Sequence, residues 1–146
     1  MQQKNKQTKN YFAYAIYSVI FTSLLFIMFG SNGWGPSAAN EQAIGEISRW
    51  CERVSGGFFR EPVNTLGNLG FVAAGLFMFY KITQDATNNS NPLFGSFKIA
   101  ILYASASTFL GPGSMAMHGT HTSFGAWLDN VSTVSYTHLT LPTILS

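Results

Sequence analysis

Between residues 111 and 129 the chain carries three side chains whose types and spacing could do chemistry together: Ser114, His118 and Asp129. The serine and the histidine are four residues apart, so both would lie on one face of a helix, about one turn from each other. The aspartate follows far enough along the chain for a short turn and an antiparallel return. We therefore expect a hydroxyl, an imidazole and a carboxylate to converge between two adjacent helices.

The surroundings of these residues are apolar, which favours a functional role. An ionisable group at membrane depth costs about 2.5–3.5 kcal/mol on insertion scales and marks a functional site by default. Taken singly, each residue has a plainer interpretation: His118 as a core histidine bonded to a backbone carbonyl, Asp129 as a helix-packing residue, and Ser114 as an ordinary serine of a membrane helix. The presence of all three residues at this spacing favours a functional site. For His121 we expect no more than a polar cap at the helix end.

Composition indicates a membrane protein with a single domain. The chain has 146 residues, of which only 10% are charged and 47% are hydrophobic, whereas soluble domains have about 25% charged residues. The formal net charge of +2 is too small to indicate nucleic acid as a partner. Cys51 is the one cysteine, so the chain forms no intrachain disulfide.

Three apolar runs predict membrane-spanning helices. Residues 1–10 are polar and contain three lysines, whereas residues 11–30 carry no charge and would span about 30 Å as a helix. A signal peptide cleaved near residues 37–39 is the alternative for this run, but its length favours a retained helix. A second span is predicted from Leu66 to Ile82 and a third from Lys98 to His118.

The lysines predict the orientation of these spans. Lys81 and Lys98 bracket a turn-rich loop at 83–96, and the positive-inside rule puts that loop in the cytoplasm with the N-terminus. The polar segment 31–64 and the serine–histidine pair then lie on the opposite side. Within that segment, residues 43–54 predict a short interfacial helix. We expect an all-α, polytopic transmembrane helix bundle, integral to the membrane, with a cytoplasmic N-terminus.

A fourth span is predicted to begin near Phe124, but the sequence then changes character. Residues 134–143, VSYTHLTLPT, match the translation of one reading frame of a common transposase sequencing adapter. A native segment with the same ten residues is the alternative. We interpret residues 134–146 as adapter-derived, which leaves a partial membrane domain at 31–133, a broken fourth helix and a gene whose remaining spans are missing.

Two motifs carry a resemblance to a known family. The first is Trp50-Cys51-Glu52 followed by EPVNTLGN at 61–68, and the second is Gly113-Ser114 with His118 and Asp129. Together they resemble the alkaline ceramidase family of intramembrane zinc hydrolases, over roughly residues 49–133. The resemblance implies a bundle of about seven helices, of which about four are present, and hydrolysis of the amide bond of ceramide or a related N-acyl membrane lipid.

The resemblance also implies a role for each residue of the second motif. His118 would be a zinc ligand, Ser114 would stabilise the oxyanion, and Asp129 would hold the attacking water and take its proton. Zinc lowers the pKa of bound water to about 7 and polarises a carbonyl. The family's other two zinc ligands form a His-x-x-x-His pair that has no match in this sequence. Since a catalytic zinc takes three protein ligands, we expect the chain as written to bind zinc poorly and to be inactive.

The first motif implies a calcium site made by Glu52, Glu61 and the backbone carbonyl of Trp50. Oxygen ligands of this kind are what calcium requires. However, Arg49 and Val54 stand where the family has an aspartate and an asparagine. The alternative is that the two glutamates pair with nearby arginines at 49, 53 and 60.

A second class of function stays open from the sequence. The chain could belong to a relative in the same broad superfamily, either a non-catalytic seven-helix receptor or an enzyme that remodels lipid anchors. An amide hydrolase should release fatty acid from an N-acyl lipid, whereas a receptor should bind its ligand without turnover.

Overall fold

The computed structural model describes residues 2–31, 33–88 and 97–144. Within these ranges the fold is all-helical, as predicted. The five helices are α1 (Gln2–Gly30), α2 (Pro62–Gly67), α3 (Leu69–Asn88), α4 (Phe97–Thr120) and α5 (Ser123–Ile144).

Three stretches of the described helices are long and apolar enough to cross a membrane: Tyr11–Gly30, Pro62–Asp85 and Lys98–Thr120. They correspond to the three spans predicted from the sequence and are compatible with an integral membrane protein. The side of the membrane on which the N-terminus lies stays a prediction. The second stretch comprises α2 and most of α3, which are separated only by Asn68, a residue with helical backbone angles.

The expected interfacial helix at 43–54 is wrong. This segment forms turns, and Ile47 and Arg53 make an isolated antiparallel bridge. Gly45 and Cys51 have positive φ angles of 91° and 66°. A residue in the left-handed region cannot continue a right-handed helix, so the chain folds back on itself instead.

Two other predicted boundaries also differ. The loop expected from residue 83 begins later, since α3 continues to Asn88; residues 89–96 lie outside the described residues. The fourth helix is not broken, because α5 runs from Ser123 to Ile144. Hydroxyl groups along α5 donate to carbonyls one turn back, for example Ser135 to Val131 at 2.7 Å, so a polar stretch forms a continuous helix. The origin of residues 134–146 stays a prediction.

Small residues let α4 pack closely against its neighbours. A Cβ atom built on Gly75 of α3 would lie 2.6 Å from the backbone nitrogen of Thr108 in α4. On the other side of α4, Gly113 packs on Ser132 of α5, and Gly125 of α5 packs on the backbone of Ala116. Close approach of this kind is typical of helices that associate in lipid. The α4 helix is therefore the centre of the described bundle.

The α1 helix joins the bundle at its middle and at its C-terminal end. Near its middle, Ala15 is buried in a cluster with Phe79 and Ile82 of α3 and Ala100 and Ala104 of α4. Near its end, aromatic rings connect it to the segment that follows: Phe26 lies 5.5 Å from Trp34 and 6.4 Å from Phe59 between ring centroids. Residues 33–61 are hereafter called the cap, and these contacts hold it near the end of α4.

Candidate functional site

The C-terminal end of α4 is bound by backbone N–H groups of the cap. Glu61 N donates to His118 O at 3.0 Å, Arg60 N donates to Gly119 O at 3.0 Å, and Ala38 N donates to His121 O at 2.9 Å. The last carbonyls of a helix have no partner within it and need one from outside. The cap supplies that partner from both of its ends, so the residues at 118–121 are held in a defined position.

A buried carboxylate binds two imidazoles at this junction. Glu61 is fully buried; its Oε2 accepts a hydrogen bond from His118 Nδ1 at 2.6 Å, and its Oε1 accepts one from His121 Nε2 at 3.0 Å. Asn64 Nδ2 also donates to Oε2, at 2.9 Å. These hydrogen bonds from His118 and His121 to Glu61 are hereafter called the Glu61 bridge.

The surroundings of Glu61 favour its ionised form. Burial alone raises the pKa of a carboxyl, but hydrogen bonds from Ser48, Asn64 and His118 lower the pKa of Glu61 below its ordinary value of 4.5. Each of these groups donates to the carboxylate, and an ionised carboxylate only accepts. The nitrogen of each imidazole that faces Glu61 therefore carries a proton.

Glu61 thereby determines which ring nitrogen of His118 is available to other groups. Because Nδ1 of His118 carries the proton bonded to Glu61, its other ring nitrogen, Nε2, is the one available to a substrate or metal. The ring of Trp50 packs edge-on against the imidazole, with centroids 4.9 Å apart. A metal-binding histidine is commonly oriented by a carboxylate in this way. The His118 side chain is 13% exposed, whereas those of Glu61 and His121 are completely buried.

Ser114 and Asp129, the other two residues of the predicted site, lie on α4 and α5 and are both partly buried. Asp129 shares a face of α5 with Gly125 and Ser132, which contact α4. The aspartate is therefore placed at the α4–α5 interface, and its convergence with Ser114 and His118 stays a prediction. Within the described residues, the side-chain partner of His118 is Glu61 rather than Ser114 or Asp129.

A large apolar cavity lies on another face of α4. It has a volume of about 760 Å³, and its α4 walls include Pro112, Ala116 and Thr120, with α1 and α5 forming much of the rest. Residues two apart on a helix point about 200° apart, so Ser114 and His118 face away from this cavity. The candidate site and the cavity are therefore separate features.

The three residues expected to bind calcium have other partners. Glu52 accepts from the backbone nitrogens of Val63 and Asn64 at 2.8 Å each, at the start of α2. The Trp50 carbonyl accepts from the Asn64 amide at 3.5 Å. All these partners are N–H donors, whereas calcium takes oxygen ligands. The arrangement does not fit a calcium ion, and the calcium site stays a prediction without support here.

The alternative prediction, that Glu52 and Glu61 form ion pairs with nearby arginines, is also wrong for Arg49 and Arg53. Arg49 pairs with Glu41 instead, with Nη2 3.1 Å from Oε1. Arg53 Nη1 donates to the backbone carbonyl of Gly45 at 2.8 Å. Among the described residues, the partners of Glu52 and Glu61 are histidines and backbone or side-chain amides rather than arginines.

The described residues do not form a complete zinc site. His118 presents one nitrogen, but in the described ranges no group of three or more His, Cys, Asp or Glu side chains is arranged to hold a metal ion. One histidine is insufficient for a catalytic zinc. No catalytic step through zinc follows from these residues, and zinc as a cofactor stays a prediction.

His121 and Glu41 belong to the site although sequence reasoning gave neither of them a role in it. His121 lies directly after α4 with φ 53°, and its Nδ1 is 3.6 Å from Glu41 Oε2. The spacing of His118 and His121, three residues apart at a helix end, is a signal that could have linked these two histidines. Glu41 carries no such signal, because it lies far away in the sequence.

Comparisons with models of known protein families, with curated proteins and with solved structures find no match for this chain. The resemblance to alkaline ceramidases therefore stays a hypothesis.

Proposed function

We propose that this chain is part of a membrane amide hydrolase that resembles the alkaline ceramidases and cleaves ceramide or a related N-acyl lipid. The observation that carries the proposal is the 2.6 Å hydrogen bond from His118 Nδ1 to the buried Glu61 carboxylate. It orients the histidine at the end of an apolar helix, one turn after Ser114, and leaves Nε2 available.

The chain's own residues have distinct parts in this proposal. His118 would present Nε2 as one ligand of the zinc that the resemblance implies. Ser114 would donate a hydrogen bond from its hydroxyl to the oxygen of the amide carbonyl as charge develops there. Asp129 would accept a proton from the attacking water. The remaining metal ligands would come from spans beyond the described residues.

The test begins with the gene. Sequencing the locus across the codon for Thr133, from DNA that has not been treated with a transposase, shows whether the reading frame continues. We expect further apolar spans and a His-x-x-x-His pair near their end. If the native gene ends in VSYTHLTLPTILS, the zinc hydrolase proposal fails.

The second step is an activity assay on the protein from the continuous frame, beside the 146-residue chain. Purified protein in detergent is incubated with ceramide, and released fatty acid is measured. We expect turnover by the longer protein, none by the 146-residue chain, and loss of turnover in Ser114→Ala, His118→Ala and Asp129→Asn. Ser23→Ala is the matched control, because Ser23 is exposed and its hydroxyl donates to Val19 O of its own helix. Lipid binding without turnover would contradict the proposal and favour a receptor.

A further inference from the structure

The carboxylate of Glu61 has little capacity left for a metal ion. It accepts from His118, His121 and Asn64 at 2.6–3.0 Å. An ionised carboxylate offers about four lone-pair sites. These three donors therefore use most of the positions through which a cation would be bound.

The second carboxylate of the expected calcium site is occupied in a similar way. Both oxygens of Glu52 accept backbone N–H groups in the first turn of α2, at 2.8 Å. A negative charge at this position also interacts favourably with the helix dipole. Glu52 thus stabilises the start of α2, directly beside Glu61, without a metal ion between them.

His121 connects the end of α4 to two glutamates of the cap. It is completely buried, its Nε2 donates to Glu61 at 3.0 Å, and its Nδ1 lies 3.6 Å from Glu41 Oε2. Neither Nδ1 nor that Glu41 oxygen has another hydrogen-bond partner among the described residues. His121 therefore lies between two glutamates that are far apart in the sequence of the cap.

We infer that the Glu61 bridge takes the place of calcium in this chain: Glu61 and His121 are positioning residues that fasten the cap to the end of α4 and hold His118 without a metal ion. This inference concerns how the cap is held and does not require the chain to be active. Amide hydrolysis could fail its test while the Glu61 bridge remains, and the reverse is equally possible.

The experiment is thermal unfolding of the purified 146-residue chain in detergent. We expect the same midpoint in millimolar calcium chloride and in EGTA. His121→Gln and Glu61→Gln should each lower the midpoint by several degrees, and the double variant by less than the sum, since both remove one shared hydrogen bond. His138→Gln is the matched control and should leave the midpoint unchanged, because His138 is exposed and its Nδ1 bonds to Val134 O of its own helix.

Three results would overturn the inference. The first is a calcium-dependent rise in the midpoint that disappears in Glu52→Gln, which would restore the calcium site. The second is a rise with zinc chloride alone that disappears in His121→Gln, which would show that the two imidazoles bind a metal. The third is a His121→Gln protein as stable as the unmodified chain.

If the variants do not fold, NMR of the unmodified chain with ¹⁵N-labelled histidine decides the question. We expect two imidazole N–H protons at low field, from Nδ1 of His118 and Nε2 of His121, because each is hydrogen-bonded to the buried Glu61 carboxylate. Both signals should be unchanged by EGTA. Absence of these protons, or a change in either on chelation, would contradict the inference.

Discussion

Gly75 offers the sharpest test of how α4 is positioned, because it lies where the backbones of α3 and α4 approach each other closely. In Gly75→Ala the new Cβ would lie 2.6 Å from Thr108 N and 2.8 Å from Thr108 Cα. Ordinary contacts are about 3.5–4.0 Å, so the helices would have to separate by about 1 Å. The Thr108 hydroxyl oxygen is also in contact and belongs to a side chain, but these two backbone atoms cannot move aside as a flexible side chain could.

Gly70 provides the matched control on the same helix. A Cβ built on Gly70 has no other atom within 4 Å. Replacing either glycine by alanine gains the same helix propensity, about 0.8–1.0 kcal/mol, so that gain cancels when the two variants are compared. The remaining difference is the steric cost of overpacking, about 1–3 kcal/mol. We expect Gly70→Ala to be more stable than the unmodified chain, and Gly75→Ala to be less stable than Gly70→Ala by this amount.

The measurement is the free energy of unfolding of both variants in detergent micelles, from titration with sodium dodecyl sulfate followed by far-UV circular dichroism. Equal stabilities for the two alanine variants would refute the close packing of α3 on α4. Because α4 carries Ser114 and His118, that result would also remove the basis for placing these two residues relative to the cap.

Three further predictions concern the cap. Glu52→Ala should lower the free energy of unfolding by about 1–2 kcal/mol in the same titration, since it removes both acceptors at the start of α2; an unchanged value would contradict the capping role. Because the pKa of Glu61 is lowered in the folded chain, its contribution to stability is complete above about pH 4.5 and is lost as the pH falls further. The free energy of unfolding, measured from pH 7 to pH 3, should therefore fall below pH 4.5 in the unmodified chain and not in Glu61→Gln. The same pH dependence in both proteins would refute the lowered pKa of Glu61. Cys51 is free and exposed, so a membrane-impermeant maleimide should label it in intact cells, with Cys51→Ser as the unlabelled control; labelling only after permeabilisation would reverse the predicted orientation.

The helices could be predicted because their signals are local. An uncharged run such as residues 11–30 must satisfy its backbone hydrogen bonds within itself in a membrane, and its length alone indicates a span. The four-residue spacing of Ser114 and His118 likewise determines that both lie on one face of α4. The turns of segment 43–54 have no such local signal. The positive φ angles of Gly45 and Cys51 belong to the folded cap.

The sequence by itself thus determined the helical class, the three apolar spans and the shared face of the serine and the histidine. Only the tertiary structure decided which groups meet His118. Glu61 lies 57 residues before His118 and 60 residues before His121, and no periodicity connects positions so far apart. Their contact depends on the cap folding back onto the end of α4, where unpaired carbonyls and a buried carboxylate require N–H partners. That requirement brings Glu61 and His121 together, and it is satisfied only once the chain has folded.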